Sequence, residues 1–219
     1  MSVAVTGIGC VSGLGCGVSA HLQAFRSGRS GLGKVTLFQT KLEVPVAEVK
    51  RSNHQLKQHL DLDQDRVVSR TALLGMTASR QAFQDAGLSN DRLRIGLISS
   101  SSVGGMDLSE QFFDDNDPDI HKKRLRMVAH HDIGDHTEQI AGYLQLDGFR
   151  TSISTACSSS ANTIMMGARM IEQGLLDAAI VGGTDALCRF TLNGFNSLMI
   201  LDSAPCRPFD ETRAGLNLG

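Results

Sequence analysis

The chain has 219 residues, of which 41% are hydrophobic and 20% charged, a composition that excludes a disordered chain and a coiled coil. Its 21 Lys plus Arg against 23 Asp plus Glu give a formal net charge of −2, which argues against a generally basic nucleic-acid binder. The length suits one large domain, or one and a half ordinary ones, with a real core.

The N-terminal stretch MSVAVTGIGCVSGLGCG lacks a basic start and carries Gly7, Gly9, Gly13 and Gly15, so it reads as strand and loop rather than signal peptide. Val3 to Ile8 is an apolar run that breaks into glycine, the pattern of a buried strand. Gly7-x-Gly9 lacks the third glycine of a dinucleotide site. Gly17 to Arg26 spaces its apolar residues as a short amphipathic helix. Leu42 to Val49 partly alternates but holds Pro45, which predicts an edge strand or a loop. Arg66 to Ala86 is the longest helical pattern, and Gly87 ends it. Arg94 to Ser100 reads as a second buried strand, followed by the small-residue run SSSVGG.

Gly105 to His131 is the most polar part of the chain. DDNDPD at 114–119 predicts a turn. KKRLR at 122–126 reads as a solvated helix face or as a surface for an acidic partner. Ile133 to Leu146 is a helix, Arg150 to Thr155 a strand, and Ala161 to Ile171 a helix that runs to Gly174. Ala178 to Val181 is a further buried strand, closed by Gly182-Gly183. Strands alternating with helices predict an α/β fold with a mainly parallel sheet. No stretch approaches the roughly 18 apolar residues of a membrane helix.

Five cysteines without a CxxC pair (Cys10, Cys16, Cys157, Cys188 and Cys206) fit a cytoplasmic protein with free thiols. The segment Ser154-Thr155-Ala156-Cys157-Ser158-Ser159-Ser160 joins a strand to a helix. A side chain at such an elbow meets the free N–H groups and positive dipole end of the helix, which favour a thiolate nucleophile and can hold an oxyanion. A free cysteine is also a good small core residue, and spacing alone leaves both readings open. Asp132 and His136 are one helical turn apart. Two such residues without HExxH or a cysteine pair make no metal site, so His130, His131 and His136 are expected on a surface or interface.

STACSSSANTIMMGARMIEQGLLDAAIVGGTDA resembles the active-site region of the β-ketoacyl-acyl carrier protein synthases, condensing enzymes of the thiolase superfamily. The matching elements are the nucleophile motif at Thr155 to Ser159, Gly174 to Asp177, and Gly182-Gly183. Pro205 to Asp210 with Arg213 and Gly215 resembles the family's CRPFD-x-x-R-x-G stretch, and VAVTGIGCVSGLG its opening. The resemblance implies one half of a thiolase-like αβαβα sandwich. It implies decarboxylative Claisen condensation of an acyl-Cys enzyme with malonyl-acyl carrier protein, in fatty acid or polyketide-type synthesis. Cys157 would take the acyl group, with its N–H in the oxyanion hole. No cofactor or metal is expected.

Phe195, in Asn193-Gly194-Phe195, and Met127 fall near positions that line the acyl pocket in relatives, with core packing open for both. Arg207, Asp210 and Arg213 lie in a segment that runs toward the core, so they are expected to make an ion pair or backbone-carbonyl contacts that shape the loop near the site, with a surface turn as the alternative. The expected partners are acyl carrier protein and a second subunit, as homodimer or heterodimer, with Arg150 to Thr155 pairing across the twofold. Nucleic acid and membrane are not expected as partners.

All seven histidines precede Cys157, whereas the family's two catalytic histidines follow its nucleophile. Residues 1–219 are therefore expected to be an N-terminal half, with the second half beyond Gly219, and to be inactive alone. Some relatives are chain-length-factor subunits that replace the nucleophile. This alternative conflicts with the presence of Cys157.

Overall fold

The computed structural model describes residues 2–89, 93–114 and 121–219. Three parallel strands, β3 (Ile95–Ser100), β4 (Arg150–Ile153) and β5 (Ala178–Val181), form a sheet in the order β4-β3-β5. Two residues each of β1 (Val11–Ser12) and β2 (Gly15–Cys16) make a small antiparallel hairpin. The helices are α1 (Val18–Arg26), α2 (Asn53–His59), α3 (Arg70–Asp85), α4 (Met106–Asp114), α5 (His121–Val128), α6 (Asp135–Leu144), α7 (Ser159–Glu172) and α8 (Arg189–Ser197).

All six residues of β3 are buried, as a central strand with helices on both faces requires. Leu73, Met76, Leu97 and Ile140 form its main core with neighbours from α2, α3, α6 and β5. Ser69 caps α3 by accepting the Ala72 N–H at 3.2 Å, so the helix begins four residues later than its apolar pattern does. It ends where Gly87 takes a φ of +61°. Residues 42–49 make only an isolated bridge, Gly33 to Val46.

The expected strand at Val3 to Ile8 is not formed. Val3, Val5 and Ile8 are exposed, and the segment has no strand beside it among the described residues. It lies along α3 instead. Ile8 N–H donates to Asp85 Oδ2 at 3.0 Å and Cys10 N–H to Gln81 Oε1 at 3.1 Å. The glycines permit this approach, since a Cβ on Gly9 would lie 1.8 Å from Ala78 O. The polar middle also differs from expectation, because it contains the helix α4. The basic run falls on α5, while the turn expected at 114–119 lies outside the described residues beyond Asp114. Among the described residues, no helix is long and apolar enough to cross a membrane.

Candidate active site

Strand β4 ends at Ile153 and α7 begins at Ser159, so residues 154–158 must turn the chain sharply. Ala156 holds the left-handed region at a φ of +52°, a conformation that costs a non-glycine residue energy and needs support around it. That support is a knot of hydroxyls. Thr155 N–H donates to Ser159 Oγ at 2.8 Å, and Ser159 Oγ donates to Ala156 O at 2.7 Å. Ser158 Oγ donates to Thr155 O at 2.9 Å, and Asn162 Nδ2 to Thr155 Oγ1 at 2.8 Å. Among the described residues the Cys157 N–H is left unused.

Cys157 is exposed at the apex of this elbow, so the small-core-residue reading fails. Cys188 is buried and the other three thiols are half-buried. Burial pushes the Cys188 thiol up, and burial with the neighbouring Cys16 does the same to Cys10. Cys157 opens onto a cavity of about 660 Å³. Its apolar wall comes largely from α8 and its C-cap, through Phe190 and Phe195 on the helix and Leu198 at the cap, with Val103 and Ala186 beside them. Ser100 and Gly183 complete the floor, where a Cβ on Gly183 would lie 2.1 Å from Ser100 Oγ. Asp185 fixes the SSSVGG loop. Its Oδ1 accepts from Ser101 Oγ and from Ser102 N–H, both at 2.7 Å.

A reactive-type side chain at a helix N-terminus, an unused N–H beside it and an apolar cavity in front are the parts that acyl transfer requires. Comparison with known proteins agrees. Residues 1–219 match the family described as beta-ketoacyl synthase, N-terminal domain. The chain belongs to that family. The 3-oxoacyl-(acyl-carrier-protein) synthase 2 of Staphylococcus aureus (strain COL) is 28% identical over 230 residues, covering 99% of this chain and 55% of that protein. Nodulation protein E of Rhizobium meliloti (strain 1021) is 30% identical over 241 residues, covering 99% and 55%. The solved structure of the ishigamide ketosynthase/chain length factor matches with a TM-score of 0.83 at 28% identity, covering 96% of this chain and 54% of that one. This β-ketoacyl synthase domain thus spans about half the length of the curated relatives it matches, with the α/β fold of thiolase-like ketosynthases.

Within the domain, Phe195 stands in the wall of the Cys157 cavity, whereas Met127 does not line it and is half-buried on α5. No histidine lines the cavity among the described residues. His136 corrects an expectation. It is buried rather than at a surface, its Nδ1–H donating to Ile133 O at 2.5 Å while Nε2 meets Ser99 Oγ at 2.9 Å. Arg207, Asp210 and Arg213 are exposed and away from the cavity, so the surface turn holds rather than a buried place near the site, while the expected backbone-carbonyl contacts are present. They shape their own turn through Thr212, with Arg207 Nη2 donating to Thr212 O at 2.5 Å and Arg213 Nη1 to Asp210 O at 3.1 Å. Sequence reasoning missed the rest of α8 as a wall. Its signal was the apolar spacing of Phe190, Phe195 and Leu198.

Proposed function

We propose that the intact protein is a 3-oxoacyl-acyl carrier protein synthase in which Cys157 is the acyl-accepting nucleophile. The observation that carries this reading is Cys157 itself, exposed on a strained elbow at the mouth of an apolar cavity with its N–H free. The Sγ attacks the thioester carbonyl of an acyl carrier protein, and the carrier thiol leaves. The Cys157 N–H stabilises the oxyanion on the way, and α8 receives the acyl chain. Phe195 belongs to that acyl wall. Met127, half-buried on α5 and outside that cavity, is left out of the wall. Carbon dioxide loss from the malonyl partner and stabilisation of the resulting carbanion fall to histidines other than those of residues 1–219, so this stretch alone does not condense. The exposed edge of β4 is the surface proposed to meet a second synthase subunit.

Cys157 also argues against a non-catalytic partner subunit. The test is limited iodoacetamide labelling of the intact protein, read by peptide mass spectrometry, beside acyl loading of wild type and Cys157→Ser. We expect Cys157 to label before Cys10, Cys16, Cys188 and Cys206, and the serine variant to lose acyl-enzyme formation. A hydroxyl without its own base is a poor nucleophile. Equal labelling of all five thiols, or full loading of Cys157→Ser, sinks the reading.

A further inference from the structure

The cavity wall depends on α8, and α8 has no oxygen cap of its own. Cys188 stands at its N-cap position, where its Sγ meets only Thr191, at 3.1 Å from Oγ1, a weak sulfur contact. The first N–H groups of a helix need acceptors from elsewhere. Here they come from α4. Glu110 Oε2 accepts the Arg189 N–H at 3.2 Å and Glu110 Oε1 the Phe190 N–H at 2.6 Å. The same carboxylate meets Arg189 Nε at 3.4 Å, and the Arg189 guanidinium also reaches Asp114, further along α4. The Glu110 side chain is only 15% exposed, so its bonds are shielded from water. A carboxylate at this end also complements the helix dipole. Leu192 is the other anchor, fully buried with Val46 and Leu187 below the helix.

We infer that Glu110 is a positioning residue for acyl selection, holding the N-terminal turn of α8 so that Phe190 and Phe195 stand at a fixed distance from Cys157. This inference rests on the reading of Cys157 as acyl acceptor. Glu110 itself is outside the wall, and it acts through the helix. A glutamine in its place keeps one acceptor oxygen but loses the second and the charge. The first turn of α8 then shifts about its Leu192 anchor, and the wall moves with it. The elbow around Cys157 is held by Thr155, Ser158 and Ser159, which do not touch Glu110, and so stays in place.

The experiment loads the intact protein with hexanoyl- and palmitoyl-pantetheine thioesters and reads acylation of Cys157 by mass spectrometry, for wild type and Glu110→Gln. Iodoacetamide alkylation of Cys157 and the thermal midpoint are measured beside it. Removing one methylene contact in an apolar pocket changes discrimination by at least roughly tenfold, so a displaced wall should change the palmitoyl-to-hexanoyl ratio by about fivefold or more. We expect that change with an unaltered alkylation rate. An unchanged ratio overturns the inference. So does a variant that melts early and alkylates differently, which would make Glu110 a stability residue alone. Leu198→Ala, which widens the wall directly, must also change the ratio, and its failure to do so counts against α8 as the selector. Wild-type protein that takes no acyl group on Cys157 overturns the reading of the nucleophile, and this inference with it.

Discussion

The two faces of the central strand β3 look onto different worlds. Ile95, Leu97 and Ser99 face α3 and α6, where Leu73, Met76 and Ile140 fill the space and His136 bonds to Ser99. Gly96, Ile98 and Ser100 face the other way, toward Leu176 and α7. On that side the fit depends on small residues. A Cβ on Gly167 would lie 2.4 Å from Val181 Cγ1, so the glycine lets α7 settle close on the sheet. The outer surfaces differ more. Eight consecutive residues of α3, Arg70 to Thr77, are buried, whereas α7 buries only Ser159, Thr163 and Gly167 and leaves Ile164 and Met165 exposed. The closed layer is the scaffold. The open layer carries Cys157, the proposed nucleophile, at the N-terminal end of α7.

The sharpest way to break this contrast is to truncate one apolar side chain in each layer. Leu73 is fully buried in the closed layer, so Leu73→Ala should cost about 2–5 kcal/mol through lost contacts and a cavity. Met165 is 44% exposed on α7, so Met165→Ala should change stability by about 0.5 kcal/mol or less. Urea unfolding of the two variants measures both. Equal losses would show that the outer face of α7 is covered in solution by another chain, and the contrast would then belong to the isolated chain only.

Titration gives a second test, at two buried groups packed beside α3 and β3. Burial pushes the Asp107 carboxyl, at the start of α4, up from 3.8 to about 6, although Arg70 N–H donates to its Oδ2 at 2.9 Å. Its Oδ1 has no partner among the described residues. The folded state therefore holds a proton that the unfolded state has released, and stability falls as pH rises from 3.8 to about 6. At about 1.4 kcal/mol per pKa unit, the loss reaches at most about 3 kcal/mol. Asp107→Asn should flatten that decline. His136, on the same side of β3, slopes the other way. Burial holds its imidazole below the usual 6.5, outweighing the Ile133 carbonyl and nearby carboxylates, so its stability is complete above 6.5 and is lost as pH falls from there through its lowered folded value. Denaturation midpoints across pH for wild type and Asp107→Asn check this. Identical profiles would mean that water reaches Asp107.

Much of this organisation was legible in the sequence, and the exceptions share a cause. The strands β3 and β5 were readable because each is a short apolar run ended by small residues, β4 because β-branched Thr151 and Ile153 lead into the family's nucleophile motif, and α7 because its apolar spacing follows that motif. The elbow at Cys157 was readable from local sequence because its turn is built by its own neighbours, Thr155 to Ser159, whereas the choice between nucleophile and small core residue came from the family resemblance. What escaped depends on distant partners. Val3 to Ile8 has the composition of a strand but settles on α3, through glycines whose role appears only once that helix is beside them. Helix α8 has Thr, Asn and Gly in its sequence and takes its cap from Glu110, 79 residues before Arg189. His136 sits in a polar stretch, yet its bond to Ser99 crosses between α6 and β3.

The smallest expected effect tests whether the closed layer owes anything to charge at its edge. Arg150 Nε donates to Glu138 Oε1 at 2.9 Å and Oε2 at 2.7 Å, tying α6 to the edge strand β4 beside the elbow. The side chains are 39% and 58% exposed. An exposed pair gains little Coulomb energy, must order two long side chains and is screened by salt, so it contributes about 0–1 kcal/mol. Glu138→Gln should therefore lower stability by about 0.5 kcal/mol, and by less in high salt. If another subunit covers the β4 edge in solution, the pair is shielded from water. Removing one partner of a buried pair costs about 3–5 kcal/mol, because it strands the other charge. Urea unfolding of Glu138→Gln at low and high salt distinguishes these cases. A small, salt-sensitive loss leaves the scaffold resting on the apolar contacts of Leu73, Leu97 and Ile140. A large, salt-insensitive one would move the edge of β4 from the open to the closed side of the comparison.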